Sequence, residues 1–162
     1  MNTQAEPSQA TNKQPNADYC FVCGRKNPHG LYMSFYDDGK QEVHSEVTLG
    51  DMYQGYPGIA HGGISTAILD ETVARVAMIG DHHHLMVSVK LDVKFRQPVP
   101  LHTRLKVVGR AVKMRGRLGQ AVGQIILPDG TIAVEASMTL ADIPKEVLES
   151  TSFEDLGWRL DD

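Results

Sequence analysis

The chain has 162 residues, 41% hydrophobic and 22% charged, a mixture that fits one globular domain with a sizeable core and leaves no room for a second. A net charge of -4 excludes the broad positive field that attracts nucleic acid or anionic membrane surface, so neither is expected as a partner. No run approaches the roughly 20 apolar residues of a membrane-spanning helix, no apolar signal core opens the chain, and two cysteines suit a reducing compartment; a cytoplasmic protein is expected.

Residues 1–18, rich in Gln, Asn, Pro, Ser and Thr, bury too little apolar surface to offset ordering entropy and read as a disordered tail. Cys20-Phe-Val-Cys23-Gly24 has the spacing of half a zinc site. Structural zinc takes four ligands, however, and with only His29 as a further candidate the expectation is packed turn thiols and no metal. Residues 31–36 and 42–49 read as a hairpin around Asp37-Asp38-Gly39, followed by a loose segment containing Gly55, Pro57 and Gly58. From His61 to about Ile79 apolar residues occupy nearly every face, as in a buried helix, and Gly80 stops it. Its small residues Ser65, Thr66, Ala67, Ala74 and Ala77 let a sheet approach closely. His82-His83-His84 reads as a solvated loop.

Residues 86–95, 103–112, 118–127 and 131–141 are long, β-branched and largely alternating, with turns between them, and read as antiparallel meander strands. The acidic stretch from Pro144 to Asp162 reads as an extension that forms a short helix or frays. The expected class is α+β, one long central helix wrapped by a curved antiparallel sheet of about six strands over residues 19–143.

The most informative stretch is Gly55-Tyr56-Pro57-Gly58-Ile59-Ala60-His61-Gly62-Gly63, followed by Leu69-Asp70-Glu71 on the helix and the strand Val87-Ser88-Val89-Lys90-Leu91-Asp92-Val93. Over roughly residues 20–143 this resembles the hotdog-fold thioesterases of the phenylacetate-degradation and 4-hydroxybenzoyl-CoA type. The resemblance implies hydrolysis of an acyl- or aroyl-CoA thioester. It places Gly63 as the backbone N–H that polarises the carbonyl, Asp70 as base or nucleophile, His61 and Gly62 in the motif, and Ser88 as an assisting hydroxyl. It implies no cofactor beyond the coenzyme A of the substrate. Many relatives carry Asn shortly before the histidine; here Gln54 is the only amide candidate. Some relatives use Glu as the acid, so Glu71 stays open beside its alternative, an i,i+4 pair with Arg75.

The physical chemistry agrees. A helix N-terminus offers unsatisfied N–H donors to negative charge growing on a carbonyl oxygen, and glycines at 62 and 63 leave that backbone open. A carboxylate among Thr66, Ala67, Val73 and Ala74 is poorly hydrated and so a stronger base. Gly63 and Asp70, seven residues apart, face the same way but stand about 10 Å apart along the axis. One reacting carbon cannot touch both. The site is therefore expected to be shared between subunits of a homodimer, or of a tetramer built from dimers. Arg96 and Arg115, with Lys113, Arg117 and Arg110, are candidates for the CoA phosphates, against the plainer reading of a solvated hairpin. Two other readings are a non-catalytic acyl-CoA binding module and a hotdog hydratase or dehydratase, for which no Asp-x-Asn-x-x-His run appears. No G-x-S-x-G motif supports acyl-serine chemistry.

Overall fold

The alternating segments fold into one antiparallel sheet around one principal helix, in a computed structural model that describes residues 11–161. In chain order the elements are β1 (Asn12–Lys13), β2 (Tyr36–Asp37), β3 (Glu42–Thr48), α1 (Gly62–Ala74), β4 (Met86–Phe95), β5 (Arg104–Arg115), β6 (Leu118–Ile126), β7 (Ile132–Asp142) and α2 (Lys145–Glu149). The sheet has seven strands in the order β1-β2-β3-β5-β6-β7-β4. Only β5, β6 and β7 form the expected meander. β4 does not pair with β5: it crosses to the far edge and pairs with β7, while β3 takes the place beside β5.

α1 lies against β5, β6, β7 and β4, with Ile68, Leu69 and Val73 fully buried. Close approach depends on strand glycines as well as on the helix's small residues. Gly109 of β5 pairs with Gly123 of β6, and a side chain on Gly109 would start 2.7 Å from the Thr72 carbonyl oxygen. The α-helical part ends at Ala74; Arg75–Met78 continue as a tighter 3-10 turn, and Gly80 with φ +83° completes the stop. A seven-stranded antiparallel sheet with one main helix packed on it is the hotdog arrangement.

Two further expectations change, and the C-terminal extension takes the first of its two expected forms. The strand placed over residues 31–36 is reduced to Tyr36 and Asp37. Tyr32 takes φ +54°, which breaks strand geometry, and Leu31 and Met33 instead donate their N–H groups to the carbonyls of Phe21 and Val22. The tail assigned to residues 1–18 is part of the fold from Asn12 on: Asn12–Lys13 pair with β2, and Gln14, fully buried, donates to Asp37 Oδ2 at 2.9 Å. Residues 1–10 of that stretch lie outside the described residues. The C-terminal extension forms α2 and then folds back over the N-terminal segment through an Asn16–Arg159 bridge and the ion pairs Lys13–Asp161, Arg25–Asp161 and Arg159–Asp18.

Candidate active site

Two groups of side chains sit at opposite ends of α1. At its start, His61 is the N-cap residue in an extended conformation, and its Nδ1 accepts the Gly63 N–H at 2.9 Å. The preceding loop is closed by bonds from His61 N–H to the Tyr53 carbonyl (2.8 Å) and from Gly58 N–H to Gln54 Oε1 (2.9 Å). Gly58 has φ +79°, a conformation that favours glycine. Gln54 therefore uses its amide oxygen to shape the loop. Phe95, at the end of β4, completes this end: its ring atoms lie 3.4 and 3.5 Å from where a side chain on Gly62 would begin.

At the other end, Ser88 Oγ donates to Asp70 Oδ1 at 2.7 Å. A hydroxyl donor fixes the carboxylate's rotamer and leaves Oδ2 free to take a proton. Asp70 is half-buried and Ser88 exposed, so the pair faces outward from this chain rather than into its core.

Glu71 points elsewhere. Its Oε1 is held by Arg75 Nε at 2.9 Å and Nη2 at 2.8 Å, the anticipated i,i+4 pair, and Arg75 is buried beneath the ring of Phe35, 4.1 Å from its centroid. Arg96 is engaged with Glu135 at 2.6 Å; that hydrogen bond holds the Glu135 carboxyl below its ordinary range and pushes the guanidinium up. Arg115 lies at the β5–β6 turn. Leu118, its pairing partner, also pairs with Ala141, which pairs with Val87, so the turn stands at the Ser88 end of the sheet. Among the described residues Lys113, Arg115 and Arg117 have no ion-pair partner.

Phe95 was not anticipated, and β4 explains why. A bulge between Ser88 and Lys90 shifts the register against β7. Residues 88 and 95 are an odd number apart and would face opposite sides of a regular strand. The bulge turns both toward α1, Ser88 to Asp70 and Phe95 to Gly62.

An apolar cavity of about 340 Å³ lies on the Glu71–Arg75 side of α1, and neither Asp70 nor Ser88 lines it. Ala74, one turn beyond Asp70, and Met86, two residues before Ser88, both line it, with Met78, Phe153, Leu156 and Trp158 among the remaining walls.

The family model of the thioesterase superfamily matches residues 57–134, the stretch that carries the histidine-glycine loop, α1 and β4. That match spans just under half of the chain, which has the hotdog fold and is similar to that superfamily over this stretch. It is 27% identical over 86 residues to the acyl-coenzyme A thioesterase THEM4 of Rattus norvegicus, a match covering 53% of this chain and 36% of that protein. An uncharacterized protein of Schizosaccharomyces pombe is 30% identical over 77 residues, covering 48% of this chain and 44% of that one. The chain thus spans less than half the length of these curated relatives. A solved thioesterase superfamily protein superposes with a TM-score of 0.70 at 28% identity, covering 77% of this chain and 61% of its own. The PaaI protein of the E. coli phenylacetic acid degradation operon, at 14% identity, shares the fold with a TM-score of 0.63 over 70% of this chain and 83% of its own.

Proposed function

We propose that the protein hydrolyses an acyl- or aroyl-CoA thioester to a free acid and CoA at a site shared by two subunits. The observation that carries this reading is the outward-facing Asp70–Ser88 pair, about two helical turns removed from the Gly63 amide. A rise of 1.5 Å per residue separates the two groups by about 10 Å, so neither end of α1 is a complete site alone. β4 supports the means of completing it. It pairs only with β7 among the described residues, and it exposes Val87 and Val89 along a ten-residue edge. Antiparallel pairing of two such edges sets two α1 helices side by side in opposite directions, with the Gly63 amide of one beside the partner subunit's Asp70.

In the reaction the partner subunit's Asp70 takes a proton from water, whose oxygen attacks the thioester carbon while the Gly63 N–H stabilises the carbonyl oxygen's growing charge. The C–S bond then breaks, and CoA leaves as the thiolate and is protonated. Attack by the carboxylate itself, followed by hydrolysis of the anhydride, uses the same groups. Because His61 Nδ1 occupies the Gly63 N–H, a substrate carbonyl must displace the imidazole, which makes His61 a gatekeeper of the oxyanion donor. The apolar cavity walled by Ala74 and Met86, which flank Asp70 and Ser88 in the chain, suits the acyl group and, at the lower end of ligand-pocket volumes, a chain of medium length or a single aromatic ring. Arg115, free of ion pairs, is better placed than Arg96 to receive a CoA phosphate.

The test is thiol release from a panel of acyl-CoAs by wild type, Asp70→Asn and Gly63→Pro. Wild-type turnover lost by orders of magnitude in Asp70→Asn, with binding retained, supports the assignment. Mixing the two folded variants should restore about a quarter of wild-type activity, since half the dimers are mixed and each holds one intact site of two. Tight binding without turnover in wild type would replace the reading with a CoA-thioester binding module.

A further inference from the structure

The turn between β1 and β2 places two thiols against α1. Cys20 Sγ, Cys23 Sγ and a carboxylate oxygen of Glu71 all lie within 4.8 Å of one another, with Cys20 Sγ 3.8 Å from Glu71 Oε2. We propose that these three side chains bind a zinc-class divalent cation, Cys20 and Cys23 as thiolates and Glu71 through Oε2, with a water as fourth ligand.

The spacing fits. Tetrahedral zinc, with bonds of about 2.3 Å to sulfur and about 2.1 Å to oxygen, sets its ligand atoms roughly 3.5 to 3.8 Å apart. The three atoms need to close by no more than about 1 Å to reach it. The turn itself is shaped around Cys20: Gly24 N–H donates to the Cys20 carbonyl at 2.9 Å, and Cys23 N–H donates to Cys20 Sγ at 3.3 Å. A side chain on Gly24 would begin 2.6 Å from the Asp18 carbonyl oxygen and 2.7 Å from Cys20 N, so glycine is what lets the turn close. An N–H aimed at sulfur favours the thiolate, the form that binds metal.

Glu71 is prepared in the same sense. Arg75 holds Oε1 through two nitrogens and leaves Oε2 toward the thiols, the arrangement by which an outer partner orients a metal-binding carboxylate. Charge also balances. Two thiols, Glu71 and Arg75 sum to zero, and so do a divalent cation, two thiolates, Glu71 and Arg75. Binding exchanges two protons for the cation and leaves no net charge in this largely buried region. Cys23 is buried and Cys20 only partly, so the cation and its water enter past Cys20.

A cation here would pin the turn to α1 one residue from Asp70, stapling the start of the domain to the helix that carries the chemistry. The sequence offered two ligands of one site; the third comes from the middle of a helix, at a residue with an obvious ion-pair partner.

The experiment uses the full chain, reduced with a phosphine and stripped with a chelator, then titrated with Co2+ while thiolate-to-cobalt absorption is read, with Zn2+ as competitor. One thiolate-bound cobalt per chain is expected, displaced by one Zn2+ that also protects both cysteines from alkylation and raises Tm. Cys20→Ser should abolish the thiolate band and the Zn2+-dependent rise in Tm, and Glu71→Gln should weaken cobalt at least tenfold. Replacing His82, His83 and His84 by Ala should leave the thiolate band unchanged. Absence of the band in wild type, or equal alkylation with and without Zn2+, overturns the site. Unchanged affinity in Glu71→Gln overturns the three-ligand assignment; should that variant fail to fold with Arg75 unpaired, Cys20→Ser, at a partly exposed position, decides the matter.

Discussion

Gly109→Ala tests whether the helix-to-sheet distance on which the site depends is set by the strand glycines. The new methyl would start 2.7 Å from the Thr72 carbonyl oxygen and 3.2 Å from Val73 Cα, where ordinary contact begins at 3.4 Å. Backbone cannot rotate away as a side-chain tip can, so α1 must retreat by about 0.7 Å. Val73 and Leu69, fully buried, move with it and lose packing. Overpacking of this kind costs about 1 to 3 kcal/mol. In a chain of this length each kcal/mol lowers Tm by roughly 2 to 4 °C, which gives a fall of about 2 to 12 °C. Activity should fall further than stability. Asp70 rides on the same helix, and its 2.7 Å bond to Ser88 would lengthen toward the limit of a hydrogen bond. Misplacement by about 1 Å is enough for about 10²-fold loss, so a loss of at least tenfold in kcat, measured well below Tm, is expected. Gly50→Ala is the control, because nothing lies within 4 Å of the position and its φ is -90°. A Gly109→Ala protein that melts within about 1 °C of wild type would refute the packing argument.

Ser88→Ala removes the hydroxyl that orients Asp70; at an exposed site that bond is worth about 1 to 2 kcal/mol, so kcat for thioester hydrolysis should fall roughly five- to thirtyfold with KM little changed. An unaltered kcat would show that the hydroxyl positions nothing. His61→Ala deletes the N-cap and should lower Tm by roughly 2 to 4 °C for about 1 kcal/mol, yet keep kcat/KM within about threefold because the Gly63 N–H is released to substrate. A hundredfold loss would make His61 part of the chemistry instead of a gatekeeper. Asp161 is pushed up by burial but held down to about 2 by the hydrogen bonds and charges of Lys13 and Arg25 acting together. Its folded pKa lies below the ordinary carboxylate value, so its stabilisation is complete above about pH 4 and is lost as pH falls toward about 2. Emission from Trp158, the single tryptophan, should report release of the C-terminal segment in that window. Asp161→Asn should flatten the change, and identical curves would dissociate the ion pairs from that segment's attachment.

The sequence made the four long strands and the buried helix legible because each carries a sustained pattern: Met86–Phe95 is matched to the residue, and the others to within one to three. Order in the sheet was not legible, since β4 and β5 are consecutive and both alternate, and nothing local says that a crossover separates them. Composition misjudged residues 11–18. Gln14 is a buried polar residue whose amide nitrogen donates to Asp37 and the Arg75 carbonyl, partners 23 and 61 positions away, and no window on the tail contains them. Tyr32 failed for the opposite reason: its neighbours look strand-like, but a left-handed backbone at a tyrosine is set by the contacts of Leu31 and Met33 with the cysteine turn.

The site divides along the same line. His61, Gly62 and Gly63 belong together through a local rule, that a helix begins with a cap and free amides, and Glu71 with Arg75 through another, the i,i+4 spacing. Asp70 with Ser88 required the tertiary fold, and Phe95 required something finer. The bulge at Val89 changes which parity of β4 faces α1, so the strand lends a hydroxyl to one end of the helix and an aromatic ring to the other. A regular strand would supply one or the other. If the site is completed by a second copy, the two ends meet across the two-fold axis, and the ring from one subunit then stands beside the hydroxyl and carboxylate of its partner. On the proposed shared site, a single extra residue in one strand would let two identical chains offer different side chains to one thioester.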